Sequence, residues 1–422
     1  MNELLTQIFI ATVIAALAIS VFLRFWLSWR QSCFVAARRA QTPAAFAGRI
    51  SLAAHQRAAD YTLAKARLGR VALGVETLLF LAFTWGGGLQ ALHDFWSDRL
   101  HGLLYGVALI ASVAILSALV ELPLDIYRQF RLESRFGFNR MTPALFFSDL
   151  AKQTLIAALL GLPLLAAVLW LMASMGDAWW LYVWLLWMGF NLLALFIYPL
   201  WIAPRFNRFT PLADGEVKER VRALLERGKF GDRALFVMDG SKRSSHGNAY
   251  FTGFGKARRI VFFDTLLEHL TPPQVEAVLA HELGHFHHRH IVKRIAAIFL
   301  LSLVFLALLG QLLPADWFFH GLGLQQGNTA LALVLFSLVV PLFTFPLTPL
   351  MSALSRRHEF QADAYAARVA SADELAAALV KLVDSNAATL TPDSLYSLFY
   401  DSHPPASLRI ARLQANAPGH VA

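Results

Sequence analysis

The chain has 422 residues, 57% of them hydrophobic and only 15% charged, with a formal net charge of +9. A mean hydropathy of +0.51 is too apolar for a soluble globule and indicates a polytopic membrane protein. No basic stripe with interleaved aromatics is present, which argues against nucleic acid as a partner. The single cysteine, Cys33, excludes an intramolecular disulfide and a cysteine-rich metal site.

Seven apolar runs predict membrane spans: Leu4–Leu27, Val71–Leu92, Leu103–Leu124, Thr154–Met175, Ala178–Ile202, Ile295–Leu313 and Leu331–Leu354. The first has its positive charges after the apolar run and is too long for a signal peptide, so it reads as a retained span. Gly176 and Asp177 alone separate the fourth and fifth, which predicts a hairpin. Basic residues gather in alternate connections. Arg30, Arg38, Arg39, Arg49, Arg57, Lys65, Arg67 and Arg70 follow the first span, in what reads as a long loop that also holds Cys33. Arg128, Arg131, Arg135, Arg140 and Lys152 follow the third. This alternation places the N-terminus outside and the C-terminus in the cytoplasm. The polar stretch between the fifth and sixth spans falls on the cytoplasmic side as well.

Four regions are expected: a five-span bundle with basic loops (1–202), a cytoplasmic catalytic insertion (203–294), a two-span hairpin (295–354) and a polar cytoplasmic tail (355–422). The fold class is an all-α polytopic membrane protein whose cytoplasmic insertion is α+β with a small sheet. In that insertion Asp214–Arg227 has helical spacing and Ala234–Met238 is strand-like. Asn248–Phe254 and Arg259–Phe263 flank Gly255-Lys256 and predict a hairpin. Asn248-Ala249-Tyr250-Phe251 reads as an edge strand able to pair with an extended peptide. Thr271-Pro272-Pro273-Gln274 opens a helix with a capping box and a proline in the first turn.

That helix carries His281-Glu282-Leu283-Gly284-His285, an H-E-x-x-H pattern. Residues four apart share a helix face, so His281 and His285 can reach one zinc ion while Glu282 acts on water. A catalytic zinc wants a third protein ligand. His288 shares the face, but it lies roughly 10 Å along the axis from His281, too far for one ion. With His287 and His290 it reads as a polar cluster at the membrane surface. Glu359 returns to the same membrane side after the last hairpin, on an expected helix Ser355–Val369. Asp363, one turn on, can hold a ligating histidine's other ring nitrogen. Glu121, Asp125 and Glu133 near the end of the third span read as interfacial or packing residues.

The segment Ser355-Arg356-Arg357-His358-Glu359-Phe360-Gln361-Ala362-Asp363-Ala364-Tyr365 resembles the second signature of the integral-membrane CAAX prenyl protease family, type I. Tyr127, Phe130, Glu133, Phe136-Gly137-Phe138-Asn139, Asp149, Pro204, Phe206-Asn207 and Pro211-Leu212 match further segments of it. So do Asn248-Ala249-Tyr250 and His403-Pro404-Pro405 followed by Arg409. The matches cover most of residues 120–410. The resemblance implies a zinc endopeptidase with ligands His281, His285 and Glu359 and catalytic base Glu282. It also implies seven spans enclosing a chamber, substrate held along Asn248, Ala249 and Tyr250, and oxyanion donors His403 and Arg409.

The expected partners are a peptide or membrane-associated protein substrate and the lipid bilayer. Alanine- and leucine-rich composition, a short tail and the lack of a retrieval signal suggest a bacterial inner membrane. The competing reading is a transporter or scaffold with a structural zinc, for which Glu282 would have no use.

Overall fold

The computed structural model describes residues 1–231, 234–252 and 259–415. The first half is built from α1 (Asn2–Ala37), α2 (Leu52–Phe83), α3 (Gly88–Ser97), α4 (Gly102–Tyr127), α5 (Pro143–Ser174) and α6 (Trp179–Ile197). The polar middle holds β1 (Phe209–Pro211), α7 (Glu216–Arg227), β2 (Ala234–Met238), β3 (Ala249–Thr252), β4 (Arg259–Phe263), α8 (Asp264–His269) and α9 (Pro272–His287). Then come α10 (His290–Leu312), α11 (Asp316–His320), α12 (Thr329–Thr344), α13 (Thr348–Val369), α14 (Ala372–Ser385), α15 (Ser394–Tyr400) and α16 (Ala406–Ala415). Among the described residues six helices are long and apolar enough to cross a membrane, or seven if α2 and α3 count as one span.

The expected second span is that bent pair, with a turn of 50° between its halves. Gly87 takes φ +75° at the bend, where a side chain would be strained. A Cβ on Gly88 would lie 2.7 Å from the Ala82 carbonyl oxygen, so the chain can fold back only on glycine. α2 also starts well before the apolar run, at Leu52, where the Ser51 hydroxyl accepts the Ala54 N–H at 3.1 Å. Arg57, Lys65, Arg67 and Arg70, expected in a loop, therefore lie on a helix. Cys33, placed in the same loop by the sequence, sits exposed on α1. Hydropathy marks the length that matches lipid, and polar helical extensions leave no trace in it. Arg24–Glu76 ties α1 to α2, and Arg39, just after α1, pairs with Asp60 of α2, each at 2.8 Å.

α4 and α6 each run into a π turn, Arg128–Glu133 and Tyr198–Ile202. Glu133 accepts the Tyr61 hydroxyl at 2.7 Å, and Asp125 makes an exposed ion pair with Arg128 at 3.0 Å.

The four strands lie in the order β1-β2-β4-β3. β2 and β4 run parallel, with Phe236 opposite Val261. Ile260, Val261 and Phe262 of central β4 are at most 1% exposed, as a continuous apolar run requires. β3 pairs antiparallel with β4, with Ala249 opposite Phe262, and forms one edge. The expected turn at Gly255-Lys256 lies outside the described residues.

One core joins the sheet to the helices around it: Leu224 of α7, Phe262 of β4, Leu279 of α9, Tyr365 of α13, Leu375 of α14 and Ile410 of α16 all belong to it. The segment read as a polar tail is thus packed into the same body as the middle segment. A second core lies between the spans, with Leu109, Leu169, Phe318 and Leu335 at its centre. Phe22, Leu159 and Leu300 on the spans point outward, as lipid-facing residues do.

Candidate metal centre and active site

α9 starts at the expected cap: the Gln274 side chain accepts the Thr271 N–H at 3.1 Å, completing a capping box. Val275, Leu279 and Leu283 bury one face in the core, and this fixes the rotation of α9. The opposite side meets α13 at close range. A Cβ on Gly284 would stand 2.8 Å from the Ala362 Cα and 3.1 Å from the Tyr365 Cβ, so the small residues let the two backbones touch.

This contact brings Glu359 onto the histidines. One ligand atom from each of His281, His285 and Glu359 lies within 4.8 Å of the other two. The two Nε2 atoms are 3.2 Å apart. Glu359 Oε2 is 3.5 Å from His281 Nε2, and Oε1 is 3.3 Å from His285 Nε2. Glu359 is only 4% exposed, yet among the described residues its Oε2 has no hydrogen-bond partner. A buried carboxylate oxygen without a donor is costly, and a cation between these three groups would satisfy it. Two imidazoles and a carboxylate are the donor set of a catalytic zinc site. The residues present therefore fit a metal ion.

Each histidine is held by its second nitrogen. His281 Nδ1 lies 2.8 Å from Asp363 Oδ1. Asp363 also accepts Arg409 Nε at 2.9 Å and its NH2 at 2.6 Å. Burial works against a charged His281 imidazole, but the Asp363 and Glu359 carboxylates overcome it and lift its pKa to about 9. Burial likewise opposes the Arg409 charge, and Asp363 outweighs it and strengthens proton binding.

His285 Nδ1 is 3.0 Å from His290 Nδ1, whose Nε2 is 2.9 Å from Gln361 Oε1. His290 is 4% exposed and stacks on His358 with centroids 3.9 Å apart. Sequence reasoning missed this partner, having grouped His290 with His287 and His288 at the membrane surface. On an unbroken helix His290 would point roughly 140° away from His285. Arg289, at φ +54°, breaks the helix between α9 and α10 and turns His290 back. No spacing rule signals a left-handed arginine.

A cavity of about 930 Å³ opens on the site, and His281, Glu282, Asn248, Ala249, His403 and Arg409 all line it. Tyr250 does not. Successive strand residues face opposite ways, and its hydroxyl lies 3.9 Å from Met238 Sδ. His403 Nε2 reaches to 3.4 Å of Glu359 Oε1, and Ser402 Oγ lies 3.0 Å from its Nδ1. Arg409 has two nitrogens committed to Asp363, leaving NH1, 3.5 Å from Glu359 Oε2, as its remaining group toward the centre.

Residues 31–208 match the family described as CAAX prenyl protease N-terminal, five membrane helices, and residues 211–417 match peptidase family M48. A CAAX prenyl protease 1 homolog of Arabidopsis thaliana is 34% identical over 95% of this chain and 96% of its own length. CAAX prenyl protease 1 of Saccharomyces cerevisiae is 34% identical over 84% of each chain. The crystal structure of S. mikatae Ste24p superposes with a TM-score of 0.87 at 30% identity, covering 97% of this chain and 98% of the other. A peptidase match across residues 211–417 sets aside the transporter or scaffold reading. The chain is a multi-pass membrane metalloendopeptidase and belongs to the CAAX prenyl protease 1 family.

Proposed function

We propose that His281, His285 and Glu359 hold one zinc ion and that Glu282 is the base of a peptide-bond hydrolysis carried out in the cavity they line. The observation that carries this reading is the buried, undonated Glu359 Oε2 facing His281 Nε2 on an H-E-x-x-H helix. When bound, zinc would polarise the scissile carbonyl and acidify water. With zinc bound, Asp363 would keep the His281 Nδ1 proton and leave Nε2 to ligate. Glu282, half-buried in the cavity wall beside His281, takes the proton from the attacking water and passes it to the leaving amine. His403, beside Glu359, donates to the developing oxyanion. Arg409 fixes Asp363 and turns its NH1 to the same place. Ala249, the first residue of edge strand β3, gives an extended substrate a main-chain partner, with the Asn248 side chain just before it and Tyr250 setting the strand from behind.

The substrates are peptides or membrane-associated proteins, with CAAX-type processing suggested by the relatives' names and membrane-protein quality control as a further use. The alternation of basic residues supports an outside N-terminus with the site and C-terminus cytoplasmic. We also propose the division into bundle (1–202), insertion (203–294), hairpin (295–354) and tail (355–422). The composition supports a bacterial inner membrane, although the relatives named above are eukaryotic.

The test is cleavage of a fluorogenic peptide by detergent-purified protein beside Glu282→Gln, with zinc quantified in both. Equal zinc and cleavage by the native chain alone is the expected result. Equal cleavage by both would remove Glu282 from the mechanism.

A further inference from the structure

His403 has little around it to hold its ring in place. Its side chain is 63% exposed. Beyond Ser402 Oγ at 3.0 Å and Glu359 Oε1 at 3.4 Å, the ring makes no hydrogen bond or ion pair among the described residues. Packing does not fix an imidazole so open to solvent, so its place must come from the backbone that carries it. That backbone is residues 401–405, the connection between α15 and α16. Downstream, Pro404 and Pro405 restrict the chain, and Arg409 of α16 is bonded to Asp363 of α13. Upstream, the connection is only as firm as α15.

α15 has seven residues, too few to be stable as an isolated helix. It is gripped at both ends. At its start the fully buried Asp393 accepts the N–H groups of Leu395 and Tyr396 and pairs with Arg30 of α1 at 2.9 Å. At its end the last turn leaves carbonyls without helical partners, and α13 supplies the donors. Arg356 NH1 donates to the carbonyls of Ser397 at 3.2 Å, Leu398 at 3.5 Å and Asp401 at 3.1 Å. Ser352 Oγ donates to the carbonyl of Phe399 at 3.4 Å. Asp401 stands two residues before His403, and Arg356 stands one turn before Glu359 on α13. A single helix thus carries both a proposed zinc ligand and the clamp on the segment that presents His403. Arg356 is not among the residues that line the cavity, so it reaches the reaction only through that segment.

We propose that Arg356 is a positioning residue for the hydrolysis: by holding the end of α15 it sets His403 where the oxyanion forms. This rests on the reading of His403 as an oxyanion donor. One guanidinium nitrogen makes all three bonds, and a lysine ammonium also carries three donors on one nitrogen. Lysine should therefore stand in for Arg356, whereas a neutral side chain of similar length should not.

The test is a double-variant cycle on the full chain in detergent, read with a fluorogenic peptide. His403→Ala should lower kcat by about a hundredfold or more, the worth of one oxyanion donor. Arg356→Met should lower kcat by about tenfold or more and leave KM and bound zinc near their native values. Arg356→Met combined with His403→Ala should be no slower than His403→Ala alone, since the arginine then has nothing left to position. Arg356→Lys should recover most of the lost rate. Zinc content and thermal unfolding show whether each variant is folded, and Arg356→Gln runs the same cycle if Arg356→Met is not. A merely structural arginine would lower zinc or stability in step with rate, and its loss would multiply with that of His403→Ala. That result would overturn the positioning role. So would a native kcat in Arg356→Met beside a slow His403→Ala, which leaves the oxyanion reading standing. A native kcat in His403→Ala would remove the oxyanion role, and the positioning role with it.

Discussion

Gly284 and Ala362 are the point where α9 and α13 touch, with room for no more than a hydrogen atom on the glycine. Three residues before the glycine stands His281, and three before the alanine stands Glu359. The spacing of two backbones thus sets the distance between the nitrogen and oxygen atoms offered to the metal. Gly284→Ala should push the helices apart. We expect about 1–3 kcal/mol of lost stability from overpacking and a disproportionate loss of bound zinc. Zinc per chain, measured beside thermal unfolding in detergent, checks this. Native zinc content in a folded Gly284→Ala protein would show that the contact does not set the site.

Metal uptake should depend on pH through His281. With its pKa raised to about 9, the metal-free protein carries an imidazolium there at neutral pH. A charged Nε2 cannot ligate, so binding must expel that proton. The sign follows: affinity rises with pH by about tenfold per unit and levels off as pH passes the raised pKa. Titration calorimetry in buffers of different ionisation enthalpy would count the released proton. An affinity flat between about pH 6 and 8 would contradict the assignment.

Arg409 is 7% exposed and holds Asp363 through two bonds. Arg409→Met should cost about 3–5 kcal/mol, since it leaves a buried acid with only His281 as partner. Removing the acid as well, in Arg409→Met with Asp363→Leu, should return part of that stability without restoring activity. Additive losses in the double variant would mean the two side chains are not coupled.

Proline at Ala249 tests the edge strand. The Ala249 N–H is bonded to the Asn248 side chain at 2.8 Å, and it is the Asn248 carbonyl that accepts from Phe263 of β4. Ala249→Pro should therefore spare the sheet and the zinc while lowering kcat/KM by about tenfold or more, the worth of a lost main-chain bond at a transition state. Unchanged kinetics would mean that substrate does not pair there.

The parts legible in the sequence were those written locally or by topology. The capping box, the two histidines one turn apart and the apolar β4 are each contained in a few consecutive residues. Glu359 followed from a different argument: a hairpin of two spans must bring its ends to one side. His290 was hidden because a single left-handed residue, Arg289, redirects it. Lys65 and Arg70 were visible as charges, but hydropathy counted them as loop when they belong to a helix facing the catalytic cavity. The packing of α14 and α16 against α9 was obscured by polar composition averaged over a segment whose apolar residues lie on one face.

The proposed ligands come from helices on either side of the last membrane hairpin, α9 before it and α13 after it. A nascent chain that has completed α9 owns two of the proposed ligands and the proposed base but no finished site. Only when α10 and α12 have threaded the bilayer and come back does Glu359 arrive. Proteolytic competence is thereby postponed to the close of biogenesis, and an enzyme stalled halfway into its membrane stays harmless to its neighbours.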